Sequence, residues 1–176
     1  MRFREIFREH DDTLANYVAG GDLTARLRSN STLNDFDKQE LEHLDSLVQP
    51  ISHNTVYRII HDLHPDSTKL DKLRVGDVYR DTGYLSTTSD RNTIFNVLIP
   101  ELDEFGGKPT HLMIIDITAI KQGIDVNAKL VNHHFTSQKE IILPRGVALQ
   151  KIKDASENNI QIHYFKAIQL GQFDAI

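Results

Sequence analysis

Pro50 divides the chain into two kinds of pattern. Before it, apolar residues recur at helical spacing. After it come short β-branched runs separated by turn residues. Helices first and strands afterwards predict an α+β fold. Residues 2–18 read as a helix, with Phe3, Ile6, Phe7, Leu14, Tyr17 and Val18 on one stripe and Gly20-Gly21 as its stop. Glu5, Glu9, Asp11 and Asp12 interrupt the basic face that a membrane-surface helix would need. Asp22 is placed to cap a short helix through Leu27. Asp37 followed by Glu40 has the spacing of a capping box for a helix carrying Leu41, Leu44, Leu47 and Val48, which Pro50 ends.

Beyond Pro50, strands are predicted at Thr55–Ile60, Val78–Tyr79, Tyr84–Thr88, Leu112–Ile117, Ile141–Leu143 and Val147–Ile152. The alternation of Ile160, Ile162 and Tyr164 with polar residues predicts a last one. Asp90 caps a short helix carrying Ile94, Phe95, Val97 and Leu98. Residues 61–76, 100–109 and 124–137 read as polar turns and loops. A chain of 176 residues with 39% hydrophobic content fits one domain, residues 1–176. Within it, residues 1–50 form a helical layer and residues 51–176 a β-rich core.

Composition narrows the chemistry. The net charge of −5 argues against non-specific nucleic-acid binding by phosphate neutralisation. Having no Cys excludes disulfide scaffolds and cysteine-based nucleophiles or metal sites. Among the nine His, His61-x-x-His64 and His133-His134 are the pairs with metal-ligand spacing. Neither has an evident third ligand, and Pro65 is expected to end any helix carrying the first, so no metal is expected. No G-x-G-x-x-G follows a strand. The N-terminus lacks the apolar region of a secretory signal, and no run approaches the roughly 18 apolar residues of a membrane helix. The expectation is a protein with no membrane partner, acting in a cytoplasm.

Ser137 to Gly146 carries the first sign of a reaction site. An acid, Glu140, stands at the entrance of the apolar run Ile141-Ile142-Leu143, which ends at Pro144 and Gly146. In a strand, residues two apart point to one face, so Gln138 and Glu140 are expected to project side by side into one cleft. Two other stretches join it: Val56-Tyr57-Arg58-Ile59-Ile60 and Gly83-Tyr84-Leu85-Ser86-Thr87-Thr88-Ser89. An Arg on a strand, an aromatic-x-Ser-Thr-Ser/Thr strand and a Gln-x-Glu strand, in that order, resemble the Arg-Ser-Glu class of mono-ADP-ribosyltransferases. The class includes bacterial toxins and the small transferases of tailed phages, and the resemblance spans roughly residues 50–170.

The resemblance implies a fold in which N-terminal helices pack on a split, mainly antiparallel β-core, with NAD⁺ as substrate in the cleft. It implies that Glu140 holds the ribose and stabilises the oxocarbenium-like transition state as nicotinamide leaves. Ser86 would orient Glu140, and Thr87 and Thr88 would brace the nicotinamide pocket. Arg58, flanked by Tyr57, suits the diphosphate, with Tyr84 beside the cofactor and Arg91 within reach of a phosphate. At neutral pH a Glu with an ordinary pKa of about 4.3 is ionised. Family members that modify Arg usually carry Glu where this chain has Gln138, so Gln138 implies a non-arginine acceptor, with Phe135 as an aromatic contact to the target. The acceptor is expected to be a host protein, with nucleic acid as the alternative; the setting is a bacterial cytoplasm for a phage enzyme or a target-cell cytosol for a delivered toxin. The rival readings are an NAD⁺ glycohydrolase and a non-catalytic binding module on the same fold.

Overall fold

The computed structural model describes residues 14–15, 17–18, 22–130 and 136–169. Leu14 and Tyr17 are buried on helical backbone, and the rest of the predicted helix over 2–18 lies largely outside the described residues. Helix α1 is Leu23–Arg28, and Asp22 stands at its N-cap without making a side-chain cap bond. Helix α2 is Asp35–Leu47. Its capping box begins three residues before the predicted one. Asp37 N–H donates to Asn34 Oδ1 at 2.8 Å, and Asn34 N–H donates to Asp37 Oδ2 at 3.2 Å. Asn caps as well as Asp does, so Asp37 serves as the third helical residue. Its other oxygen accepts from Arg26 Nη2 at 2.5 Å, tying α1 to α2.

Nine strands follow: β1 (Gln49–Pro50), β2 (Thr55–His61), β3 (Val78–Arg80), β4 (Leu85–Thr88), β5 (Pro109–Asp116), β6 (Gln122–Asp125), β7 (Glu140–Leu143), β8 (Ala148–Glu157) and β9 (Ile160–Gln169). Their order is β1-β6-β7-β4-β2-β5-β9-β8-β3. All pairs are antiparallel except β5 with β9, which run parallel. The α+β expectation holds.

Three stretches read as loops carry helical or strand segments. Within 61–76 lies helix α3 (Pro65–Lys72), so Pro65 opens a helix rather than ending one. Proline is tolerated there because a first-turn N–H has no intrahelical partner. His64 is the cap, its Nδ1 accepting from Asp66 N–H at 3.1 Å. Residues 91–104 run on as α4 (Arg91–Thr93), a π-helical turn (Ile94–Leu98) and α5 (Ile99–Glu104). Pro100 again sits in a first turn. The stretch 124–137 takes in the end of β6 and the short α6 (Val126–Lys129), and a 3₁₀ turn (Thr136–Gln138) begins at its close.

The sheet is buried on both faces. Along β7, Ile141 and Leu143 join the main core with Val56, Ile60, Met113, Ile115 and Phe165. Ile142 points the other way, onto Leu14, Tyr17, Leu23, Leu41 and Leu44 of the helical layer. A third cluster of Ile94, Leu112 and Ile162 lies beneath the π-helical turn. Each fully buried aliphatic side chain contributes roughly 1.5–3 kcal/mol. Arg28 clamps the helical layer to the turn before β4 by a fork onto Asp81 (2.8–3.1 Å). Arg145 does the same from the β7–β8 turn onto Asp45 of α2 (2.8–3.2 Å). Gly83 permits the first clamp: a Cβ there would stand 2.8 Å from Thr24 Cγ2. Among the described residues no helix is long and apolar enough to cross a membrane.

One buried polar pair crosses the parallel strands. His111 Nδ1 and His163 Nε2 are 2.9 Å apart, and both rings are 1% exposed. Asp71 faces His111 and Asp154 faces His163, while Lys151 lies beside both. Burial and then the Lys151 charge push His163 down to about 4, and burial chiefly lowers His111. A depressed folded-state pKa means that the unfolded chain binds protons more readily. The stabilisation is therefore complete above an ordinary His pKa of about 6.5 and is lost as pH falls toward 4. Urea denaturation at pH 7.5 and 4.5 is expected to show a loss at the lower pH that shrinks in His163→Phe. An equal loss in both proteins would refute this role.

Candidate active site

The geometry of the site starts from the pairing of β4 with β7. Leu85 stands opposite Leu143, Ser86 opposite Ile142, Thr87 opposite Ile141 and Thr88 opposite Glu140. Side chains alternate along a strand, so Ser86, Thr88, Glu140 and Ile142 share one face. Ser86 and Glu140 are diagonal neighbours on it, close enough for the hydroxyl to hydrogen-bond the carboxylate. Glu140 is only 8% exposed, and burial raises its pKa above the ordinary Glu range. The Ser86 hydrogen bond and then the charge of Arg58 oppose that rise. The sequence alone led to an unperturbed carboxylate; the structure gives a desolvated one held by two partners.

Arg58 projects from β2 into the same place. Its Nη1 donates to the Ser86 carbonyl at 2.7 Å, while its Nε–H is buried and has no hydrogen-bond partner among the described residues. His64 Nε2 lies 3.4 Å from Arg58 Nη2. Burial, then the charge of Arg58, pushes His64 down to about 4, so the ring is neutral at pH 7. Because Nδ1 accepts from the α3 backbone, the one ring proton sits on Nε2. Arg58 and His64 thus place N–H donors side by side, Arg58 lining one cavity and His64 its neighbour.

Gln138 reaches the site by another route than the expected strand. It ends the 3₁₀ turn, and Lys139 between it and Glu140 has φ of +48°. That left-handed residue breaks the two-residue period and costs about 1 kcal/mol. Neighbouring groups secure it. Thr88 Oγ1 donates to the Gln138 carbonyl at 2.8 Å, Ser89 N–H donates to the Lys139 carbonyl at 3.1 Å, and Lys139 Nζ pairs with Asp90 at 2.8 Å. Thr87 Oγ1 donates to the Ile141 carbonyl at 2.6 Å.

These elements enclose a cavity of about 310 Å³ whose lining includes Tyr57, Arg58, Ser86, Thr87, Thr88, Gln138 and Glu140. Two predicted residues are elsewhere. Tyr84, 1% exposed, points into the helical-layer core, where its hydroxyl donates to Asp45 Oδ1 at 2.5 Å and its ring meets Tyr17 edge-on. It precedes β4 and packs with Ile142 on the helical-layer side, beyond the part of the strand that borders the cavity. Arg91 is exposed and faces Glu157 across 3.8 Å, since α4 turns it toward the β8–β9 hairpin. Phe135 and the pair His133-His134 lie outside the described residues.

Five lining residues were not expected at the site: Ile59 on β2, and Leu98, Glu101, Leu102 and Phe105 along the run from the π-helical turn to the end of α5. The signal for that run was present, since Ile94, Leu98, Leu102 and Phe105 keep helical spacing across Pro100. His64 and Arg28 were missed as well. Both line a second cavity of about 650 Å³, together with Lys69 and Arg80. Among the described residues no cluster of three or more His, Asp or Glu side chains is placed to hold a metal ion.

A family model described as ADP-ribosyltransferase exoenzyme matches residues 7–169, and the chain belongs to that family. It is an NAD⁺-dependent ADP-ribosyltransferase. No curated protein sequence matches it significantly. Solved structures share the fold at low identity. C3stau2 from S. aureus, solved with NAD, is 16% identical with a TM-score of 0.68, over 92% of this chain and 87% of that one. An ADP-ribosyltransferase from Clostridium botulinum is 15% identical with a TM-score of 0.66, over 91% and 86%. Exoenzyme S from Pseudomonas aeruginosa, in complex with human 14-3-3 protein beta and bound to carba-NAD, is 17% identical with a TM-score of 0.63, over 93% and 75%.

The environment of Glu140 is directly measurable. Carbon-13 NMR titration of the carboxyl is expected to place its pKa above the ordinary value of 4.5, and higher still in Ser86→Ala, which removes the larger of the two opposing influences. A value at or below 4.5 in the unaltered protein would refute the burial argument.

Proposed function

We propose that the chain transfers ADP-ribose from NAD⁺ to a protein side chain other than arginine, with Arg58, Ser86 and Glu140 as the catalytic set of the Arg-Ser-Glu class. The observation that carries this reading is the buried Glu140, diagonal to Ser86 across the β4–β7 pair and lining one cavity with Ser86 and Arg58. The residues fit the substrate in kind. Arg58 Nη2 stands 3.4 Å from the His64 Nε2, and two such donors suit a diphosphate.

Nicotinamide leaves a pyridinium as a neutral molecule, so no acid is needed to protonate it. One carboxylate then suffices, unlike the two of most glycosidases. Glu140, itself buried, places fixed negative charge where positive charge develops on the ribose. Such charge stabilises the transition state more than the ground state. Ser86 holds the carboxylate in position and helps to keep it ionised. Thr87 and Thr88 lock β4 to β7 and to the Gln138 turn, fixing the walls against which nicotinamide would stack. Gln138 is neutral and can only hydrogen-bond an acceptor. A guanidinium, with a pKa above about 12, must be deprotonated to attack, and Gln138 cannot do this. A side-chain carboxamide has no such charge to lose.

Incubation of bacterial lysate with adenylate-labelled NAD⁺ tests the reading. Protease-sensitive label is expected, falling about 10²-fold or more in Glu140→Gln, as for removal of a main electrostatic stabiliser. Label mainly on arginine would overturn the acceptor assignment, and nuclease-sensitive label would move it to nucleic acid. Glu140-dependent nicotinamide release without label would make the protein a glycohydrolase. Neither label nor release would overturn the enzymatic reading.

A further inference from the structure

The cavity holds a second carboxylate that neither strand provides. Glu101 lines it from the first turn of α5, and Gln138 Nε2 donates to Glu101 Oε2 at 3.2 Å. A carboxylate only accepts hydrogen bonds, so the Gln138 carboxamide must turn its NH₂ toward Glu101 and its carbonyl oxygen away. Among the cavity's lining residues Glu101 and Glu140 are the only carboxylates. They differ in setting. Glu140 is buried and engaged by Ser86 and Arg58, whereas Glu101 is exposed at the mouth, where an incoming macromolecule would first meet the site.

We infer that Glu101 is the proton acceptor for a neutral attacking group, whose proton becomes acidic as its bond to ribose C1′ forms. A guanidinium, with a pKa above about 12, must lose its proton first, and a carboxylate is too weak a base for that. The inference rests on the transferase reading above. In the step it describes, the bond from ribose C1′ to the nicotinamide nitrogen breaks and its electron pair leaves with nicotinamide. The acceptor's nitrogen or oxygen forms a new bond to C1′, and the proton it sheds goes to the Glu101 carboxylate and on to water. The Gln138 carbonyl oxygen, turned outward by Glu101, accepts a hydrogen bond from a second N–H of the acceptor and aligns it. The residue at position 138 therefore orients the acceptor, while α5 supplies the base. Water attacking C1′ can release its proton directly to solvent, so hydrolysis depends on Glu101 less than transfer does.

The test measures product partition at saturating NAD⁺, with N-acetyl-asparaginamide, agmatine or lysate protein as added acceptor. Nicotinamide, free ADP-ribose and the adduct are quantified for the unaltered protein, Glu101→Gln, Glu101→Asp and Glu140→Gln. The expected result is a ratio of adduct to free ADP-ribose that falls about tenfold or more in Glu101→Gln. Glu101→Asp should restore part of it, and KM for NAD⁺ should stay within about twofold. An unchanged ratio in Glu101→Gln would overturn the inference, as would a loss that tracks KM for NAD⁺. Nicotinamide release with adduct to none of the three acceptors would also overturn it, because water would then be the attacking group. Absence of any Glu140-dependent nicotinamide release would instead bring down the transferase reading itself.

Discussion

Four residue pairs between β4 and β7 set the position of almost every polar group in the cavity. The pairing puts Ser86 diagonal to Glu140. It also brings Thr88 to the Gln138 carbonyl and aims Thr87 at the backbone of Ile141. A slip of one residue would turn Glu140 toward the main core and Ile141 toward the site, reversing both faces at once. Burial on both faces prevents that slip. Ile141 and Leu143 fill one core and Ile142 the other, so any other register strands apolar surface in the wrong layer. The site thus inherits its precision from the hydrophobic alternation of a strand only four residues long.

The helical layer completes this restraint through charge. Arg28 on Asp81 and Arg145 on Asp45 attach α1 and α2 to one end of the β4–β7 ribbon, where Gly146 N–H donates to the Asp81 carbonyl at 2.7 Å. Asp45 also accepts from Tyr84, whose backbone carbonyl in turn accepts from Arg28 at 3.2 Å. The forked geometry and partial burial make these pairs directional as well as attractive. Tyr84 is therefore a hub between helix and strand, which accounts for an aromatic residue two positions before Ser86 without any contact to the cavity.

Elements with an apolar period were legible in the sequence, and elements defined by a cap or a turn were not. The strands around Arg58, Ser86 and Glu140 announce themselves through β-branched and aliphatic runs. Helix α3 does not, because its sequence Pro-Asp-Ser-Thr-Lys-Leu-Asp-Lys is mostly polar and only Ser67 and Leu70 are buried. A proline in the first turn reads as a terminator until the residue before it proves to be the cap, as His64 does. Pro100 hid α5, and with it Glu101, in the same way. Gln138 was placed in the cavity for a reason the backbone does not support: the expected strand pleat is replaced by a left-handed Lys139. Sequence periodicity cannot register a single residue held at positive φ by long-range hydrogen bonds from Thr88 and Ser89.

Arg58 has two demands on it under the proposed reading. Its charge helps to keep Glu140 ionised, and its guanidinium suits an anionic diphosphate. A diphosphate bound there partly neutralises Arg58 and weakens its support for a desolvated carboxylate. The same substrate carries a compensating charge, because the nicotinamide ring of NAD⁺ is cationic and would lie on the Glu140 side. Charge is then balanced within the complex: diphosphate against Arg58, pyridinium and the developing oxocarbenium against Glu140. As the pyridinium becomes neutral nicotinamide, the positive charge moves onto the ribose, nearer the carboxylate. The attraction grows along the reaction coordinate rather than weakening. Because Glu140 is itself buried, that displacement of charge toward a fixed anion is the change that lowers the barrier.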